Sequence, residues 1–257
     1  MLIVAAQLAG CARDGRSHPG SNYILPASQT DACSGPTVTG IDVSSAGQGQ
    51  IDWTQVPGAG VGFAYIKASQ GTYYLDDQFA ANWAGAKANG VLRGAYHFFD
   101  PTDDGTAQAN DFLGAMGTLL QGDLPPALDI ECPDTDPECL GFSGGSGDAS
   151  AATIYAEASA FLSTVAAATG RTPVVYTYGS YFSDNGVDST SLGSDWLWLA
   201  GYIDCTDLSM PAGWSVPVIW QNSDSGNVAG VGAVDMDTFF GTPVDLAAFS
   251  SDAATGG

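Results

Sequence analysis

The sequence predicts an α/β fold: an irregular (β/α) barrel of about eight strands, with helices mainly in the first two-thirds of the chain. Three observations predict it. Eight β-rich runs recur with turn signals between them, three helical patterns separate the early runs, and no long amphipathic helix follows Pro173. Strands that alternate with helices argue for a parallel sheet, and eight strands suffice to close a sheet into a barrel. The chain has 257 residues, 45% hydrophobic and 11% aromatic, enough for one large core. One domain of barrel size therefore fits better than two small ones.

The strand runs are 37–44, 61–69, 91–98, 126–131, 173–177, 195–202, 216–221 and 234–239, rich in β-branched and aromatic residues. The first helical pattern, 77–89, sets Phe79, Trp83 and Ala86 on one face and is stopped by Gly90. The second, 106–120, spaces Phe112, Met116 and Leu119 helically. The third, 149–169, carries Ile154, Ala158, Phe161, Leu162 and Val165 and ends at Gly170. Segment 141–147 is glycine-rich and reads as a surface loop, and the chain has no internal repeat.

The formal net charge is −22, from 28 acids against 6 basic residues. A surface this negative repels nucleic acid and anionic lipid, which excludes both as partners, whereas a neutral glycan backbone is compatible with it. The N-terminal run Leu2-Ile3-Val4-Ala5-Ala6-Gln7-Leu8-Ala9-Gly10-Cys11 is too short to span a bilayer and reads as an export signal. Its end resembles the lipobox of bacterial lipoproteins, making Cys11 the candidate for lipidation, although no Lys or Arg precedes the apolar run. The expected organisation is a signal at 1–11, a flexible linker at 12–36, a catalytic domain at 37–251 and a tail at 252–257. The expected location is the cell envelope or the exterior, as a monomer that meets a membrane only through that lipid. Cys33, Cys132, Cys139 and Cys205 then remain, an even number in an exported chain, with three disulfide connectivities open. Cys132 and Cys139 close a small loop and are the first pair to expect. No CxxC spacing supports a zinc site, and no metal or cofactor is expected.

The chemistry concentrates in Leu124-Pro125-Pro126-Ala127-Leu128-Asp129-Ile130-Glu131, a short buried strand that ends on two carboxylates. Strand side chains alternate with period two, so Asp129 and Glu131 share a face, with Cα atoms roughly 6.5–7 Å apart. Like charges held that close raise the pKa of one of them, leaving an acid able to donate near neutrality, as glycoside hydrolysis requires. Barrel enzymes carry their reacting groups at the C-terminal ends of strands, and Asp42 and Asp235 also fall there. Aromatic residues end other strands, among them Tyr96, Tyr176, Tyr178, Trp198, Tyr202 and Trp220, where ring faces could pack on sugars. The motif Gly141-Phe142-Ser143-Gly144-Gly145 matches a nucleophile elbow but lacks a preceding strand and a later His. His97 could orient a pocket carboxylate or sit in the core. The Asp-rich turns at 100–104 and 134–136 lack the calcium-loop pattern, and no phosphate or dinucleotide fingerprint is present.

From Gly40 to about Phe240 the chain resembles the glycoside hydrolase family 25 lysozymes. Seven blocks in order carry the likeness: GIDVSSAGQGQIDW at 40–53, FAYIKASQGTYYLDDQF at 63–79, GVLRGAYHFFDP at 90–101, LPPALDIE at 124–131, PVVYT at 173–177, WLWLAGY at 196–202 and IWQNSDSGNVAGVGAVDMDTF at 219–239. The resemblance implies an acid-lined groove that cleaves the β-1,4 bond after N-acetylmuramic acid in peptidoglycan. It implies Glu131 as general acid and Asp129 as the carboxylate that steadies the substrate's 2-acetamido group, giving net retention. It implies Asp42 and Asp235 as the remaining groove acids, and Tyr96, Tyr176 and Trp220 as sugar-binding residues. Two other readings of the same residues are a wall-binding lipoprotein without turnover and a hydrolase of chitin-like glycans.

Overall fold

The computed structural model describes residues 22–132 and 149–251. In chain order the elements are α1 (Gln29–Ser34), β1 (Thr37–Val43), β2 (Phe63–Gln70), β3 (Tyr74–Leu75), α2 (Phe79–Ala88), β4 (Leu92–Phe98), α3 (Gly105–Met116), β5 (Ala127–Asp129), α4 (Ala151–Thr169), β6 (Val174–Tyr178), α5 (Tyr181–Asp184), β7 (Trp196–Ala200), β8 (Ile219–Val228), β9 (Gly232–Phe240) and α6 (Pro243–Ser250).

Eight strands close a barrel in the order β1-β9-β8-β7-β6-β5-β4-β2, with β1 pairing back onto β2 and the short β3 appended to β2's outer edge. Every pair from β1–β2 round to β7–β8 is parallel. The expected parallel sheet needs one correction, because β9 runs antiparallel to both β8 and β1. The reason is local. The last crossover is a tight turn through Gly230 and Gly232, both at positive φ, and two strands joined so closely can only pair antiparallel.

Strand parity sorts the side chains into two cores. Outward residues such as Ile41, Ala64, Ile66, Ala95, Leu128 and Val175 join Phe112, Phe161 and the other buried residues of the helical layer. Inward residues Phe63, Tyr65, Tyr96, Val174, Trp196, Trp198 and Phe239 fill the barrel. Rings this large fit because small residues face them: a Cβ on Gly40 would collide with the Phe63 ring, and one on Gly94 with the Tyr65 ring.

The helices follow their signals closely. α3 is capped by Asp104, whose carboxylate accepts from Ala107 N, and ends at Gly117 with φ 70°, so Leu119 lies beyond it. α4 buries all five expected residues and ends at Gly170 in the left-handed conformation. It is long and apolar enough to cross a membrane, yet that apolar face packs into the outer core and against α3. α6 was not expected. It carries a capping box, in which Thr242 and Asp245 satisfy each other's backbone amides.

The linker expected at 12–36 is corrected from residue 22 onward; residues 12–21 lie outside the described residues. Tyr23 is 1% exposed, packs on Trp196, Phe239 and Phe249, and donates its hydroxyl to Phe240 O at 2.5 Å, sealing the barrel's lower end. α1 follows, with Gln29 Nε2 donating to Cys205 O at 2.6 Å and a Cys33–Cys205 disulfide fastening the helix to the turn after β7. Buried aromatic area and a crosslink override a polar, turn-rich composition. Cys132 is also disulfide-bonded, and its expected partner Cys139 lies outside the described residues, as do the 141–145 motif and Cys11. The Cys33–Cys205 bond fits an exported protein.

Candidate active site

The barrel interior grades from apolar at its lower end to acidic at the C-terminal ends of the parallel strands. There a cleft of about 380 Å³ opens, lined by Asp42, Asp129, Glu131 and Asp235 together with Lys67, Tyr96, Phe98, Tyr176, Trp198 and Gln221. All four acids singled out in the sequence thus meet in one place. The sheet register explains why. Asp42 on β1 pairs with Asp235 on β9, while Asp129, the last residue of β5, is flanked by Phe98 on β4 and Tyr176 on β6. Glu131 follows two residues on and faces the same cleft, as the period-two argument requires.

Burial shifts these acids. Asp129 is 6% exposed, and burial, followed by the like charge of Glu131, raises its carboxyl well above the ordinary carboxylate range; the Lys67 ammonium opposes this. Among the described residues its buried Oδ1 accepts no hydrogen bond. Asp42 is pushed up to about 8, first by burial and then by Asp235, while a hydrogen bond from Gln221 pulls it down. Asp237, two residues beyond Asp235 on the same inward face, is also raised well above the usual range by burial and by Asp42. It accepts from Trp198 Nε1 at 2.9 Å and so fixes the indole that floors the cleft between Tyr65, Tyr96 and Tyr176.

Tyr96 and Tyr176 stand in the cleft wall as expected by position, but Trp220 does not line the cleft. It stacks on Phe240 at 6.4 Å and 6°, donates to Gly201 O at 2.7 Å, and packs in the small cluster with Val216 and Ala32 outside the barrel. Parity is the reason: Ile219 and Gln221 point inward, so the residue between them points out. Sequence reasoning missed Lys67 and Gln221 as cleft residues, whereas Trp198 is one of the strand-end aromatics and does line the cleft. Counting alternate residues from Phe63 and Tyr65 reaches Lys67, and from Trp196 reaches Trp198. Lys67 is held by Gln70 Oε1 at 2.8 Å and lies over the Phe98 ring at 4.6 Å. His97 belongs to the core. It bridges Ser69 Oγ at 2.8 Å and Gln108 Oε1 at 3.1 Å, stacks on Phe161, and burial pushes its imidazole down to about 4. The acids of the turn after β4 serve structure: Asp100 accepts from Thr102 and Asp103 from Thr72.

Residues 41–231 match glycosyl hydrolases family 25. The chain is a family 25 glycoside hydrolase. Lysozyme M1 of Streptomyces globisporus is 36% identical over 226 residues, 84% of this chain and 72% of that protein. The N,O-diacetylmuramidase of Chalaropsis sp is 36% identical over 197 residues, covering 74% and 89% of the two chains. Among solved structures, the bacterial lysozyme from Streptomyces coelicolor superposes with a TM-score of 0.75 at 36% identity, covering 84% of this chain and 98% of that one. A family GH25 lysozyme from Aspergillus fumigatus gives 0.74 at 31% identity, over 84% and 100%. The matched segment contains Asp42, Asp129 and Glu131 but ends before Asp235, which joins the cleft through the β1–β9 register.

Proposed function

We propose that this family 25 hydrolase is a lysozyme, cutting the β-1,4 bond between N-acetylmuramic acid and N-acetylglucosamine in peptidoglycan. The observation that carries the reading is the convergence of four carboxyl groups on one cleft at the C-terminal mouth of the barrel. Relatives named as lysozyme and muramidase support the substrate.

The roles follow from chemistry. Glu131 protonates the glycosidic oxygen that leaves with N-acetylglucosamine, while the acetamido carbonyl oxygen of the N-acetylmuramic acid attacks that residue's own anomeric carbon from the opposite face. Asp129 accepts the acetamido N–H, for which its unpartnered Oδ1 is suited, and so stabilises the positive charge of the cyclic intermediate. Glu131, now ionised, takes a proton from water as that water opens the ring, giving net retention. Asp42 and Asp235 set the field around the pair, and Tyr96 and Tyr176 support the sugar. Export is part of the proposal, with Cys11 as a lipid anchor and the enzyme acting as a monomer.

Glu131→Gln tests the acid assignment. The folded variant should lose clearance of a cell-wall suspension by about 100-fold or more, the contribution typical of general acid catalysis. Clearance at the wild-type rate eliminates the role. A binding protein without turnover would clear no walls in either form.

A further inference from the structure

Gln221 lies on the inner face of β8 and is 2% exposed. Its Nε2 donates to Asp42 Oδ2 at 2.8 Å, and its Oε1 accepts from the hydroxyls of Tyr176 at 2.8 Å and Tyr202 at 2.9 Å. Two hydroxyl donors converging on one amide oxygen occupy both of its lone pairs. Turning the amide over would set its carbonyl against the Asp42 carboxylate, so the side chain is fixed in one orientation. We propose that Gln221 is a positioning residue for the hydrolytic reaction, its tyrosine-clamped amide aiming Asp42 at the reacting pair and favouring the ionised carboxylate. The inference rests on the hydrolytic reading above.

The surroundings explain why such a donor is needed. Asp235 and Asp237 face Asp42 from β9, Asp129 and Glu131 from the end of β5, Tyr96 from β4, Tyr176 from β6 and Tyr202 from the segment after β7. All are acids or phenols. Among the described residues that line the cleft the cation is Lys67 on β2, and it is held by Gln70. Burial and these neighbours favour a protonated Asp42, and the Gln221 amide opposes them. Tyr202 is 51% exposed, so the clamp reaches the surface, where it can be altered without disturbing the core.

Titration of the Asp42 carboxyl by carbon-13 NMR, in protein labelled at aspartate, tests this directly. In Gln221→Leu the Asp42 midpoint should rise by about one pH unit or more, the worth of a hydrogen bond to a charged group. Tyr202→Phe, which removes one clamp, should move it in the same direction by less. On peptidoglycan, Gln221→Leu should lower kcat about 10- to 100-fold with KM within about threefold. In an Asp42→Asn background the same substitution should cost less than about twofold. An unmoved Asp42 midpoint in folded Gln221→Leu, or losses that simply multiply, overturns the proposal. Should Gln221→Leu fail to fold, an unmoved midpoint in Tyr202→Phe overturns it equally. The midpoint needs no substrate, so it reports on Gln221 even if wild-type enzyme left cell walls intact, a result that would instead sink the hydrolytic reading.

Discussion

Replacing both Cys33 and Cys205 by Ser should be a costly change to this fold although it leaves every cleft residue untouched. The bond joins residues 172 apart in sequence, so cutting it frees a long loop in the unfolded chain. Chain entropy for a loop of that size gives about 5 kcal/mol, near the top of the range for disulfides. For a domain of this size that corresponds to a fall in Tm of roughly 10–20 °C. The native side adds to the loss, because the Gln29 contacts and the apolar packing of Ala32 must then hold α1 without the crosslink. Equilibrium urea unfolding, followed by tryptophan fluorescence, measures the difference. Substitution is preferable to reductant, which would also cut the bond at Cys132. A loss below about 1 kcal/mol would refute the reasoning that the N-terminal segment is clamped into the domain rather than trailing from it.

Two further outcomes are expected. Asp237 has a folded-state pKa raised above its unfolded value, so the native state holds a proton that the unfolded chain releases; the stability it contributes is complete below about pH 4 and is lost as pH rises toward its native value. Asp237→Asn should therefore weaken the loss of stability that accompanies rising pH; urea midpoints at pH 5 and pH 8 that differ as in wild type would contradict this. Trp220→Leu should lower stability by about 1–3 kcal/mol through lost packing on Phe240 while leaving KM for peptidoglycan within about twofold, and a KM raised tenfold would restore it to the groove.

Much of this architecture was legible in the chain because period-two and period-3.6 signals are local. The eight barrel strands fall where β-rich runs occur, and α4 buries the residues its spacing selects. What escaped depends on tertiary context. The reversal of β9 is set by a glycine turn only a few residues long, within a run whose polar residues 222–227 conceal the extension of β8. The N-terminal segment looks like a tether until Tyr23 finds a pocket of rings and Cys33 a partner far along the chain. In the site, Asp42 and Asp129 were legible because carboxylates at the C-terminal ends of strands are few, whereas Asp235 lies near the start of β9 and reaches the same mouth because that strand is reversed. Trp220 was misplaced by one residue of strand phase, and the same phase counted from Ile219 selects Gln221. Helix α6 is short, yet its Thr242-Pro243-Val244-Asp245 start is a capping signal visible in sequence.

The central claim is hydrolysis on the reducing side of N-acetylmuramic acid by the acids of one cleft. Purified peptidoglycan digested with the enzyme, reduced with borohydride and resolved by mass spectrometry, tests it most directly. The account predicts fragments ending in reduced muramic acid, absent from digests by Glu131→Gln. Fragments ending in reduced glucosamine, or no new reducing ends at all, would contradict it.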